Sequence, residues 1–101
     1  MNEENFVAGR DGTHEIRGPL TFATVPYLFG QSAAWRKAHD SATVTIDLSQ
    51  VSKADSAGLA LMVEWQRLAR DGQQPLRFVH IPEQLRRLIR VSGLEKLFPL
   101  R

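Results

Sequence analysis

The chain contains no cysteine. Disulfides, thiolate catalysis and cysteine-ligated zinc are therefore excluded, and a reducing compartment is permitted without being required. No apolar run approaches the roughly 20 residues a membrane span needs, so direct insertion into a membrane is not expected. The opening residues MNEENF are acidic and polar, unlike the basic start and apolar stretch of a signal peptide, which points to a cytoplasmic protein. Histidine is sparse: His14, His39 and His80 fall on separate segments, and no HxH, HExxH or EF-hand spacing occurs, so no metal site is expected. There is no Gly-x-Ser-x-Gly elbow for triad chemistry, and no GxxxxGK or GxGxxG cradle for a nucleotide. Neither a catalytic centre nor a cofactor site can be assembled from these residues. The aromatics, 8% of the chain, are scattered rather than grouped as a stacking platform, so a nucleic-acid partner is not expected.

What is present is a globular balance. The 101 residues are 43% apolar and 24% charged, enough for one modest core, and residues 1–101 read as a single domain. Net charge is only +2, but it is unevenly placed: Arg86, Arg87, Arg90, Lys96 and Arg101 crowd the last twenty residues against Glu83 and Glu95. Such a patch is either a solvated helix face or an attractor for an anionic surface.

Hydrophobic patterning divides the chain into seven elements. Residues 5–9 and 13–17 read as a hairpin around the turn signal Asp11-Gly12, stopped by Gly18-Pro19. Thr24 and Pro26 open a helix in which Leu28, Phe29, Ser32 and Trp35 share a face, with Gly30 weakening it slightly. Residues 39–42 connect to the β-branched run TVTIDL (residues 43–48), which has the character of a central strand. Residues 56–70 form the strongest helix. Gly58, Leu61, Met62, Trp65, Leu68 and Ala69 face the sheet, Ser56, Ala60, Glu64 and Arg67 lie opposite, and Leu59 and Val63 flank them. Asp71-Gly72 ends that helix. PLRFVHI (residues 75–81) is a further short strand. Pro82 then opens a last helix, with Leu85, Leu88, Ile89 and Ser92 on one face, Arg86, Arg87 and Arg90 on the other, and Gly93 at its end. Leu94 to Phe98 are apolar enough to pack back. The order β-β-α-β-α-β-α implies an α/β fold with parallel pairing from residue 43 onward and helices burying one face of the sheet.

One constellation stands out: Lys53-Ala54-Asp55-Ser56-Ala57-Gly58-Leu59. Asp or Ser at a helix start accepts an N–H bond from the first turn, an N-cap worth about 1 kcal/mol. The functional reading of the same serine is a contact point or phosphoacceptor, where an adjacent Asp55 would repel an added phosphate and sharpen its effect on surface charge. Behind it, Ser56, Ala60, Val63 or Glu64, and Arg67 form a stripe that begins with small residues and admits a close partner.

The run IDLSQVSKADSAGLALM resembles the signature of STAS domains, the family named for sulphate transporters and anti-sigma factor antagonists. LRRLIRVSGLEKLF is similar to that family's last helix and closing segment. RGPLTFATVPYL and DSAGLALMVEW resemble the branch that serves the Mla phospholipid ABC transporter, which maintains outer-membrane lipid asymmetry. The resemblance runs from about Ile16 to Phe98. It implies a STAS-like α/β fold, a mixed, mostly parallel β-sheet of about four or five strands packed by about three helices, and no enzyme activity. It places Ser56 at the position that is phosphorylated in the antagonists and docks the ATPase subunit in the transporter branch. Antagonists often carry Ser or Thr at the next position too, where this chain has Ala57. The expectation is a non-catalytic subunit bound to the ATPase of an ABC transporter, and through it to the permease. It would be cytoplasmic and peripheral to the inner membrane, with Asp55, Ala57 and Gly58 shaping the helix start and Leu59, Ala60, Val63, Glu64 and Arg67 on the partner face. The rival expectation is an anti-sigma factor antagonist controlled by a kinase acting on Ser56.

Overall fold

A computed structural model describes residues 6–9, 12–38 and 43–98. Its elements run β1 (Phe6–Ala8), β2 (Thr13–Leu20), α1 (Val25–Ala38), β3 (Val44–Ala54), α2 (Ser56–Asp71), β4 (Leu76–Val79) and α3 (Glu83–Val91), in the expected order. The four strands make one sheet in the order β1-β2-β3-β4. A tight connection makes β1 antiparallel to β2, with Phe6 opposite Ile16. The helical crossovers α1 and α2 return the chain, so β2, β3 and β4 pair parallel. The result is an α/β fold with a mixed, mostly parallel sheet. Asp11 of the expected turn, residues 39–42 and the side chains of Ser32 and Trp35 lie outside the described residues.

Alternation along the strands gives the sheet one dry face. Val44, Ile46 and Leu48 are buried on β3, and His14 and Ile16 on β2, while Thr13, Glu15, Arg17, Thr45 and Asp47 point the other way. Onto the dry face α2 lays Gly58, Leu59, Leu61, Met62, Trp65 and Ala69, and α3 lays Leu85 and Ile89. Phe98 is 2% exposed, so the closing segment does pack back, with Leu94 and Leu97 beside it. Trp65 stacks on Phe78 at 6.4 Å between centroids, and Phe78 meets Phe98 edge-on at 5.5 Å. Burying each large apolar side chain contributes about 1.5–3 kcal/mol, which holds α2 in place far more firmly than intrinsic propensity does.

Three local expectations are corrected. Gly18-Pro19 does not stop β2, which runs on to Leu20. Gly18 takes φ 80° at a register shift, and among the described residues only β3 pairs with this part of β2, so a residue without an N–H is tolerated there. Second, β3 does not end at Leu48 but reaches Ala54. Register shifts opposite Glu15/Arg17 and Gly18/Pro19 place extra residues in β3 and break its alternation. Third, Leu59 belongs to the core at 6% exposure, whereas Leu68, expected to face the sheet, is half-buried. Asp71-Gly72 ends α2 as expected: Gly72 is the C-cap, in an ordinary conformation, and the left-handed position falls on Gln73, at φ 54°. Thr24 precedes α1 as expected, but its hydroxyl accepts from the Thr21 N–H at 3.1 Å and donates to the Pro19 carbonyl at 2.8 Å.

Candidate docking surface at the start of α2

The junction between β3 and α2 is fastened on every side by backbone-directed bonds. Asp55, in extended conformation at φ −137°, is the N-cap: its Oδ1 accepts the N–H of Ala57 at 2.9 Å and of Gly58 at 3.2 Å. Its second oxygen, Oδ2, accepts the N–H of Phe22 at 3.2 Å, tying the β2–α1 loop to the start of α2. Asp55 also donates its own N–H to the Leu20 carbonyl at 3.3 Å, and Ala54 donates to Oε1 of Gln84, next to the start of α3, at 3.0 Å. Gly58 permits the approach. A Cβ there would collide with the Leu20 carbonyl oxygen and come within 2.9 Å of the Leu20 Cγ.

Because Asp55 provides the cap, Ser56 is left as the first helical residue, exposed, with its hydroxyl not needed to hold the helix. Ala57 is half-buried and Gly58 buried, so both serve the junction rather than its surface. Along the outer face Ala60 and Arg67 are exposed, and Val63 and Glu64 are partly so. Leu59, expected on this face, is withdrawn into the core, where it joins the buried apolar cluster at 6% exposure. The charges at the far end of the stripe are paired with one another: Arg67 Nε donates to Glu64 at 3.0 Å and Nη1 to Asp71 at 3.1 Å. The Arg67 bond holds the Glu64 carboxyl below its usual range, and Glu64 in turn raises the Arg67 guanidinium. The near end, at Ser56 and Ala60, carries no charge.

Sequence reasoning missed Phe22. Its N–H is pinned by Asp55 and its side chain is 76% exposed, a large apolar group held out to solvent beside the α2 start. Phe29 of α1 is a second, at 42%. Nothing in the pattern of TFATVPYLFG separates an exposed aromatic from a core one, because the loop before α1 has no periodicity to read. Elsewhere, Arg86 and Arg90 of α3 lie 3.9 and 3.5 Å from Glu83, and Arg87 is exposed. His14 is buried against Phe6, and His80 Nδ1 lies 3.1 Å from Asp47 Oδ1 on the open sheet face. Among the described residues no group of three His, Cys, Asp or Glu converges, and no helix is long and apolar enough to cross a membrane.

Comparison with known proteins gives this geometry a family. No curated protein sequence matches the chain. Among solved structures it is similar to an anti-sigma factor antagonist from Mycobacterium paratuberculosis, with 29% identity, a TM-score of 0.73 and coverage of 93% of this chain and 80% of that one. The unphosphorylated form of the anti-sigma factor antagonist SpoIIAA shares the fold at 18% identity and TM-score 0.70, over 92% of this chain and 83% of that one. SLC26A9 shares it at 17% identity and TM-score 0.71, over 88% of this chain but 17% of its own much longer one. The family model described as "Mlab, STAS domain" matches residues 8–100, and the chain belongs to that STAS family.

Proposed function

We propose that this chain is a non-catalytic STAS subunit that docks, through the start of α2, on the cytoplasmic ATPase of an ABC transporter for phospholipids and supports its assembly or activity. One observation carries the reading. The Asp55 carboxylate takes over the capping bonds and holds Phe22, and so leaves an uncharged surface of Ser56, Ala60, Val63 and the 76%-exposed Phe22 on a rigid base. Exposed aromatic anchors surrounded by small residues are what protein interfaces use as hot spots. The family description supports the choice of transporter, and the subunit is expected to be cytoplasmic, peripheral to the inner membrane through its partners. The test is co-purification with the Mla-type ATPase of the same genome: Ser56→Arg is expected to abolish capture of a tagged ATPase, and undiminished capture would sink the docking role.

A second reading is favoured by the likeness to anti-sigma factor antagonists and by the exposed Ser56 hydroxyl. In it, a kinase that is itself the anti-sigma factor phosphorylates Ser56. The nearest N–H groups, of Ala57 and Gly58, are already engaged by Asp55, so the phosphate would meet a neighbouring carboxylate with little compensation and would repel the partner. Phosphate incorporation at Ser56 by such a kinase, lost in Ser56→Ala, would select this reading over the first.

A further inference from the structure

Away from the α2 start, an open groove of about 750 Å³ runs beside β4 and shares no residue with the Ser56 surface. Its lining includes residues 76–81 consecutively, so side chains from both faces of β4 border it. In a strand those side chains point in opposite directions, which places the groove along the strand's edge. That edge is unpaired: among the described residues β4 bonds only to β3. The Val44 N–H donates to the Pro75 carbonyl, so residues 75, 77 and 79 face β3, while Leu76 and Phe78 turn their N–H and C=O groups into the groove.

The walls are cationic above an apolar floor. Arg77, Arg86 and Lys96 line the groove together with Phe78, Leu97 and Phe98, and no Asp or Glu lines it. Glu83, the ion-pair partner of Arg86 at 3.9 Å, stands outside the lining. We infer that this edge receives an extended acidic segment of a partner protein, which adds to β4 as a fifth strand. Its carboxylates would meet Arg77, Arg86 and Lys96, and its apolar side chains would meet Phe78, Leu97 and Phe98. A second copy of this chain does not suit the edge, because pairing β4 with β4 would bring like charges together. A bilayer surface cannot enter a recess and would leave the edge groups of Leu76 and Phe78 unpaired. The four residues of β4 span about 13 Å of edge, room for a segment of similar length.

The probe is a fluorescein-labelled octapeptide of paired glutamates and valines (Glu-Glu-Val-Val, repeated), which sets carboxylates on both faces of an added strand, titrated with the full chain at low salt and followed by anisotropy. Saturable binding is expected, weakened about tenfold or more in Arg86→Glu/Lys96→Glu and weakened also by added salt. A lysine–valine octapeptide should not bind. Amide exchange by NMR should show Leu76 and Phe78 slowed by the peptide. Binding that is indifferent to the double variant, or protection absent at both amides, overturns the proposal. So does sedimentation with phosphatidylglycerol vesicles in place of peptide binding. Far-ultraviolet circular dichroism confirms that the variants fold, and the Ser56→Arg variant, which should bind the octapeptide normally, separates this edge from the α2 surface.

Discussion

The Asp55 carboxylate accepts the backbone N–H of Phe22, 33 positions earlier in the chain, with the same group that caps α2. One side chain therefore fixes both the start of the helix and the loop that displays the exposed aromatic. Asp55→Ala should lose about 0.5–2 kcal/mol from the cap alone. At about 4–8 °C per kcal/mol for a chain of this size, calorimetry should show a melting point several degrees lower. Asp55→Asn, which keeps an acceptor oxygen, should lose less. In both variants the Phe22 amide should exchange faster, and the Ala variant should bind the partner ATPase more weakly than its stability loss alone explains.

Two helical glycines should respond in opposite directions to the same substitution. Gly30 is exposed in α1 and a Cβ there meets nothing within 4 Å, so Gly30→Ala should stabilise by about 0.5–1 kcal/mol. At Gly58 the added methyl meets the backbone of Leu20, which cannot swing aside, and Gly58→Ala should destabilise by about 1–3 kcal/mol. Urea denaturation of the two variants reads both signs.

The end of α2 is mildly strained. Gln73 sits at φ 54°, while its neighbours close the helix with Gln73 N–H to Arg70 and Gln74 N–H to Ala69 bonds at 3.1 and 2.8 Å. A left-handed non-glycine residue costs about 1–2 kcal/mol, and glycine loses about 0.4–1 kcal/mol of that advantage through unfolded-chain entropy. Gln73→Gly should therefore raise stability by on the order of 0.5 kcal/mol, seen as a higher urea midpoint with unchanged slope.

On the open face of the sheet, burial alone would push the Asp47 carboxyl up. The Ser49 N–H at 2.9 Å and the His80 ring at 3.1 Å outweigh it and hold the carboxyl below its ordinary value. A depressed folded value contributes stability that is complete above the unfolded carboxyl pKa of about 3.9 and is lost as pH falls through the lower folded value. Wild type should exceed Asp47→Asn at pH 6 by less than about 1 kcal/mol, and the two should converge as the pH drops below about 4. Melting curves across that window check the sign.

The sequence pattern carried the core and the order of elements because both rest on periodicity. The 3.6-residue spacing of Leu61, Met62, Trp65 and Ala69 and the alternation of Val44, Ile46 and Leu48 are direct images of burial. It also located the α2 start, since a carboxylate before a helix has one common use. It lost the second half of β3, where two register shifts break the alternation that marks a strand. Leu59 was misplaced because a flanking position on the wheel is decided by what packs there, not by its angle. Phe22 was invisible as a surface residue: the loop that carries it is placed by a backbone bond to Asp55 that joins two distant parts of the chain.

The measurement that bears most directly on the docking account is the affinity of the partner ATPase for wild type, Ser56→Arg and Phe22→Asp, read by interferometry on folded proteins. The account predicts that each substitution weakens binding at least tenfold, while Arg87→Glu on α3 changes it little. Wild-type affinity in both α2-start variants would contradict it.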